Sequence, residues 1–175
     1  MQLTWNKLRE EPIANGAFRK LLRRTFRLPD GRTEHYDVKH EGRTVCVLAL
    51  TKNRQVILAT QYRPGPETVL HELPGGGIED GEHPDDAAAR ELLEETGYAG
   101  RVQHVTQCLD CGYSTGLREV FVIEDCERIA DPSPDTNEFI EVTLMPLDAF
   151  RALLRSGQCT DVEVGYLALD HLGLL

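Results

Sequence analysis

The chain has 175 residues, of which 41% are hydrophobic and 27% charged, with a net charge of −10. That is enough apolar content for one sizeable core, and no break in composition divides the chain into independently composed parts. An odd number of scattered cysteines (Cys46, Cys108, Cys111, Cys126 and Cys159) argues against a disulfide framework and for a reducing compartment.

No apolar run reaches the roughly 18 residues of a membrane span, and the N-terminus carries no signal-peptide pattern, so a soluble, cytoplasmic protein with no membrane partner is expected. Cys108 and Cys111 form a C-x-x-C, but no second Cys pair or close His pair completes a tetrahedral zinc site, so they read as ordinary strand or loop cysteines.

The net charge conceals an asymmetry: residues 1–43 carry ten Lys/Arg against six Asp/Glu, and the remainder 9 basic against 23 acidic residues. Lys20, Arg23, Arg24 and Arg27 are mixed with Phe18, Leu21, Leu22, Phe26 and Leu28, which suits a strand with one polar face better than a polybasic arm. A phosphate-binding or subunit-contacting surface is the second reading, and no nucleic-acid partner is expected.

Residues 17–28 and 32–39 flank the turn signal Pro29-Asp30-Gly31 and predict an N-terminal β-hairpin. β-rich runs at 44–50 and 55–61 follow, joined by polar Lys52, Asn53 and Arg54. Pro74, Gly75, Gly76 and Gly77 predict a loop whose backbone can approach a ligand closely and offer it a carbonyl. Pro84 suits a first helical position, Asp85 and Asp86 favour the positive end of the helix dipole, and Gly97 supplies a left-handed stop. Strands are expected at 102–108, 119–124 and 139–145, then helices at 147–155 and 161–172. Strands mixed with helices on both sides of a sheet define an α+β fold. No repeat or low-complexity segment interrupts the pattern.

The central helix carries the chemistry. Ala88, Leu92, Ala89 and Leu93 can face a core, while Glu91, Glu94 and Glu95 gather on an adjoining face because positions three and four apart are neighbours. Glu91 and Glu95, at i and i+4, repel one another by a few tenths of a kcal/mol when exposed, so a positive group between them would be stabilising. Hard divalent ions such as Mg²⁺ or Mn²⁺ take oxygen ligands and bridge carboxylates to substrate phosphates. A solvated acidic face with Arg90 in surface pairs is the plainer alternative for such a helix.

The stretch from Gly76 to Tyr98 resembles the Nudix box, G-x5-E-x7-R-E-U-x-E-E-x-G-U, with U a bulky apolar residue. All seven fixed positions are met, by Gly76, Glu82, Arg90, Glu91, Glu94, Glu95 and Gly97, with Leu92 and Tyr98 at the U positions. Tyr98 departs from the usual aliphatic residue, a matter of packing. The resemblance implies a Nudix-type α/β/α sandwich with a mixed β-sheet, and divalent-metal hydrolysis of a nucleoside diphosphate linked to another moiety. Glu91 and Glu95 match the family's metal-binding glutamates, the Gly75 carbonyl a frequent backbone ligand, and Glu94 a further metal-binding or water-orienting carboxylate. Glu82 and Arg90 match a structural pair that, with Gly76 and Gly97, supports the site.

Beyond the box, Gln61-Tyr62-Arg63 and Glu72-Leu73-Pro74-Gly75-Gly76 resemble segments of the ADP-ribose pyrophosphatase branch. That resemblance makes residues 1–42 a β-hairpin extension used for homodimerisation and 43–175 the hydrolase domain, with Arg63 and Glu72 on the side of the nucleotide substrate. Arg63 is either a bidentate phosphate clamp or a salt-bridge partner of Glu72. Glu138, in the acidic segment Asp135-Thr136-Asn137-Glu138, matches a late metal ligand or water-activating base, with Glu141 the weaker candidate. Thr136 stands near where the branch often has another glutamate, leaving the base open between Glu94 and Glu138.

The branch also tends to carry a proline beyond the box, where this chain has Gly112-Tyr113-Ser114-Thr115-Gly116. Tyr113 instead lies near the spacing of a tyrosine associated with diadenosine polyphosphate hydrolases. ADP-ribose or a related nucleotide sugar is the expected substrate, a polyphosphate dinucleotide the runner-up, and a non-catalytic nucleotide-binding regulatory module the alternative of another class.

Overall fold

The computed structural model describes residues 3–16 and 19–175. It divides into two compact units, Met1–Arg43 with Leu109–Leu117, and Thr44–Cys108 with Arg118–Leu175.

The first unit is built on an antiparallel sheet of β1 (Asn6–Asn15), β2 (Lys20–Arg27) and β3 (Thr33–His40), in the order β1-β2-β3. β2 and β3 form the expected hairpin about Pro29-Asp30-Gly31, pairing Lys20 with His40 and Arg27 with Thr33. The start of the expected strand, Ala17 and Phe18, lies outside the described residues. β1 was not anticipated, because Pro12 and the charged run Arg9-Glu10-Glu11 hide the alternation in Asn6–Asn15. It pairs with β2 through two irregularities in register, between Lys7 and Arg9 and between Pro12 and Ala14, where the chain slips past the proline's missing N–H. Residues 109–117 join this unit because the Lys39 N–H donates to the Tyr113 carbonyl at 2.8 Å and the Lys39 carbonyl accepts from the Thr115 N–H at 3.0 Å.

The second unit is a seven-stranded sheet with helices on both faces. It contains β4 (Arg43–Thr51), β5 (Gln55–Arg63), β6 (Thr68–Glu72), β7 (Gly75–Gly77), β8 (Tyr98–Leu109), β9 (Leu117–Arg128) and β10 (Glu141–Pro146). The path is β10-β5-β4-β9-β8, with β6 pairing β5 and β7 pairing β4. The helices are α1 (Pro84–Thr96), α2 (Leu147–Ser156) and α3 (Val162–His171).

Strand alternation builds two cores. Val45, Val47 and Ala49 of β4, with Phe121 and Ile123 of β9, pack on Ala87, Ala88 and Leu92 of α1. The intervening Cys46, Leu48 and Leu50, with Val120 and Val122, pack on Phe150 and Leu154 of α2 and on Val164, Ala168 and Leu169 of α3. The sheet is therefore buried on both faces, and the α+β sandwich expected from the sequence is the fold observed. Burial pushes the Cys126 thiol up to about 12 and the Cys159 thiol up to about 11, so both are packing residues at neutral pH.

The loop expected at 74–77 differs in part. Gly75–Gly77 forms the short strand β7, pairing Thr44 with Gly77 and Cys46 with Gly75. Glycines have low strand propensity, so only the tertiary pairing reveals this strand. It needs glycine for space: a Cβ on Gly75 would stand 2.3 Å from the Val45 carbonyl oxygen. Among the described residues no helix is long and apolar enough to cross a membrane.

Candidate active site

α1 supplies the rigid side of the site. His83 caps its first turn by accepting from the Asp85 N–H, Pro84 occupies the first turn, and Gly97 ends the helix at φ 75° with its N–H on the Leu93 carbonyl. The flank adjoining Ala87, Ala88 and Leu92 brings Glu91, Glu94 and Glu95 together, with Glu95 itself buried and bonded to the Gly75 N–H of β7.

Arg90 organises the carboxylates. Its Nε donates to Glu82 Oε1 at 2.8 Å and one terminal nitrogen to Glu82 Oε2 at 3.0 Å, a bidentate pair. The same nitrogen donates to the Gly77 carbonyl at 3.0 Å. The other donates to Glu91 Oε1 at 2.9 Å and Glu94 Oε2 at 3.1 Å. Glu82 also accepts from the Glu79 N–H at 2.9 Å, and the Arg90 contacts together with this bond hold its carboxyl down at about 2. Arg90 is raised in turn, chiefly by Glu82. The expected Glu82–Arg90 pair is thus present, and the guanidinium ties three glutamates to the β7 backbone.

Glu95 differs from Glu94 in its environment. Glu94 is half-exposed, whereas Glu95 is 4% exposed and has the Gly75 N–H, at 3.2 Å, as its hydrogen-bond donor. Burial raises its pKa to about 8, the Gly75 N–H opposes this, and Glu91 and Glu138 add to the rise. Glu91 is raised too, first by burial, with Arg90 opposing and Glu94 and Glu138 contributing. Its carboxyl lies so close to Gly76 that a Cβ there would stand 2.4 Å from an oxygen, which accounts for that glycine.

Glu138 lies in the exposed turn before β10, where its N–H donates to the Asp135 carbonyl at 2.9 Å. Repulsion from its charge contributes to the rise at both Glu91 and Glu95. Glu141 begins β10 opposite Thr60, and Thr136 is exposed.

Among the described residues no three His, Cys, Asp or Glu side chains stand as a ready metal cage. The donor set nonetheless suits a hard cation. Glu91, paired with Arg90, and buried Glu95, whose donor is the Gly75 N–H, sit beside a glycine backbone, and a divalent cation between them would relieve their mutual repulsion.

The second side of the site comes from β5 and β6. Arg63, at the end of β5, donates from Nε to Glu72 Oε2 at 2.5 Å. This is the salt bridge weighed from the sequence, and it uses Nε, leaving the fork of terminal nitrogens outside that contact. Arg63 also eases the rise at Glu95, so its charge lies toward the carboxylates. Glu72 is buried and accepts at its other oxygen from Thr160 Oγ1 at 2.6 Å. Both its oxygens are therefore occupied by its own chain. Neither Thr160 nor Asp161 stood out in the sequence, because no motif links them to residues 88 positions away.

The first unit holds an aromatic pocket of its own, lined by Trp5, Arg24, Phe26, Tyr36 and Tyr113. Trp5 and Tyr36 lie with ring centroids 5.1 Å apart at a tilt of 35°.

The family model of the NUDIX domain matches residues 40–160. The chain is 32% identical over 169 residues to the ADP-ribose pyrophosphatase of Bacillus subtilis, covering 94% of this chain and 90% of that protein. It is 34% identical over 187 residues to the ADP-sugar pyrophosphatase of Mus musculus, covering 93% and 86%. A crystal structure of an ADP compounds hydrolase superposes over the whole of both chains with a TM-score of 0.82 at 19% identity, a likeness of fold. With an intact box folded around a carboxylate cluster and relatives matched along nearly their full length, this chain belongs to the Nudix family, as a pyrophosphohydrolase of nucleotides or nucleotide sugars related to the ADP-ribose and ADP-sugar pyrophosphatases.

Proposed function

We propose that the protein hydrolyses the pyrophosphate of ADP-ribose or a closely related nucleotide sugar, giving from ADP-ribose AMP and ribose 5-phosphate. The observation that carries this reading is the pair Glu91 and Glu95, the first partly buried against Arg90 and the second buried, gathered beside the Gly75-Gly76 backbone. Mg²⁺ or Mn²⁺ would be the cofactor, and Glu91, Glu95, the Gly75 carbonyl and Glu138 would hold it. When bound, it neutralises pyrophosphate charge and lowers the pKa of water.

The chain's own groups do the rest. Arg90 fixes the Glu91 rotamer through the Glu82 pair. Arg63 presents its terminal nitrogens to a substrate phosphate, and Glu72 acts on the substrate side by holding Arg63. Glu94 or Glu138 would orient or deprotonate the attacking water, Glu138 from the turn before β10. The protein works in the cytoplasm as a homodimer paired through the N-terminal unit 1–42, with 43–175 as the catalytic domain.

The test is product release from ADP-ribose, other nucleotide sugars and diadenosine polyphosphates with Mg²⁺, Mn²⁺ or EDTA. Hydrolysis of ADP-ribose that EDTA abolishes is expected. Faster turnover of a polyphosphate dinucleotide would move the substrate to the runner-up class. No metal-dependent turnover of any substrate would leave a nucleotide-binding module. Glu95→Gln should lose at least about 100-fold in kcat while keeping the native circular dichroism, since it removes charge stabilisation acting in the transition state; wild-type turnover would sink the metal assignment.

A further inference from the structure

Residues 72 and 73 join the strand that carries Arg63's partner to the glycine strand of the site, and both are gripped by the segment that opens α3. Thr160 Oγ1 donates to Glu72 Oε1 at 2.6 Å, and Asp161 Oδ2 accepts from the Leu73 N–H at 3.2 Å. Asp161 is itself held, at Oδ1, by an Arg118 terminal nitrogen at 3.3 Å, and that nitrogen also donates to Glu163 Oε1 at 2.5 Å. Beyond Leu73, the Pro74 carbonyl accepts from the Val47 N–H at 2.9 Å and the Gly75 N–H donates to Glu95. The short path from Glu72 to Gly75 is therefore pinned at every residue.

Glu72 is the sensitive member. It is 3% exposed, so each oxygen depends on the protein for its donor: Arg63 Nε on one side, Thr160 on the other. A buried carboxylate that loses one donor is left unsatisfied and turns toward another. Turning Glu72 would carry Arg63 with it, because the Nε contact sets the direction of the guanidinium fork.

We infer that Thr160 is a positioning residue for the pyrophosphate-binding arginine: its hydroxyl fixes Glu72, and Glu72 aims the terminal nitrogens of Arg63 at the substrate phosphates. Asp161 makes the joint rigid by holding the next backbone N–H. The C-terminal helix thereby reaches the substrate side of the site without touching substrate. This rests on the reading of Arg63 as a phosphate-binding group, so the experiment separates the two.

The measurement is a double-mutant cycle on affinity for α,β-methylene ADP-ribose, a non-hydrolysable probe, in Mg²⁺ by calorimetry, with KM and kcat for ADP-ribose alongside. Arg63→Ala is expected to weaken the probe at least about tenfold, the worth of one charge-assisted contact. Thr160→Val, equal in shape but without the hydroxyl, is expected to weaken it about five- to tenfold and raise KM more than it lowers kcat. Thr160→Ser should restore affinity to within about twofold, and Thr160→Val should add nothing in the Arg63→Ala background. Wild-type affinity in Thr160→Val, or an equal loss in both backgrounds, overturns the proposal. Wild-type affinity in Arg63→Ala instead overturns the role of Arg63. If Thr160→Val folds poorly, Thr160→Ala, assayed on its folded fraction, gives the same cycle.

Discussion

Glu95 and Glu94 are adjacent in sequence and opposite in environment. Glu94 remains half in water against Arg90, whereas Glu95 is buried and pushed up to about 8. Its folded pKa lies above the unfolded value, so the native state retains a proton that the unfolded chain releases. Glu95's contribution to stability is thus fully present below about pH 4.5 and is lost as pH rises to about 8. Metal-free Glu95→Gln should therefore melt above the wild type at pH 8, by about 2–4 kcal/mol of unfolding free energy, with the gain vanishing toward pH 4.5. Adding Mg²⁺ should raise the wild-type Tm and leave the variant unmoved. Equal Tm values at pH 8 in EDTA would mean the carboxylate is compensated by the protein alone. The residues of the box were legible because all lie within 23 positions, where helical spacing decides who neighbours whom. What the spacing could not give is their protonation, since burial is set by β7 and the sheet.

The elements around the box were legible in proportion to how local their signals are. α1 was marked at both ends by Pro84 and Gly97, and β4 and β5 by β-rich runs joined by a polar turn. β1, β6 and β7 were missed: the first has its alternation broken by charges and a proline, the second is only five residues long, and the third consists wholly of glycines. At the end of α1, Gly97 meets two requirements at once, a φ of 75° and a close approach, because an added Cβ would stand 2.2 Å from the Ala130 carbonyl oxygen. Gly157 at the end of α2 has a similar φ of 70° with open space around it. Gly97→Ala should therefore cost about 3 kcal/mol or more, and Gly157→Ala only about 1 kcal/mol, in chemical denaturation. Equal costs would show that the backbone around Ala130 yields freely. The larger loss would also disturb the turn after β9, where the Gly97 carbonyl accepts from the Ile129 N–H at 2.9 Å.

At the scale of the molecule, residues 1–43, which make up most of one compact unit, are net basic and the remainder is net acidic. The basic segment became a three-stranded sheet with internal pairs, such as Arg23 Nε with Asp37 Oδ1 at 2.8 Å and Arg24 Nε with Glu10 Oε2 at 2.6 Å. These exposed pairs add little stability, so the basic charge is answered within the sheet without explaining why the sheet persists. β1 is its outer strand and leaves Leu8 and Ile13 exposed, 45% and 39%, on an edge that proteins ordinarily protect. An edge of this kind is consistent with the homodimer proposed above. Sedimentation should give twice the chain mass, and Leu8→Glu with Ile13→Glu should shift it to the monomer while the far-ultraviolet circular dichroism is retained. A wild-type monomer at micromolar concentration would remove the dimer.

The sequence by itself determined the reaction class, because the box is a local code: seven fixed residues within 23 positions, four of them (Arg90, Glu91, Glu94 and Glu95) placed by the geometry of one helix. It also determined the layered fold, through the order of strands and helices along the chain and the resemblance carried by the box. Only the tertiary structure decided how the site is charged and aimed. The raised Glu95, the repulsion of Glu91 and Glu95 by Glu138, and the Thr160–Glu72–Arg63 relay all join segments far apart in the chain. Such contacts depend on how the sheet brings its ends together, which no local pattern of residues records.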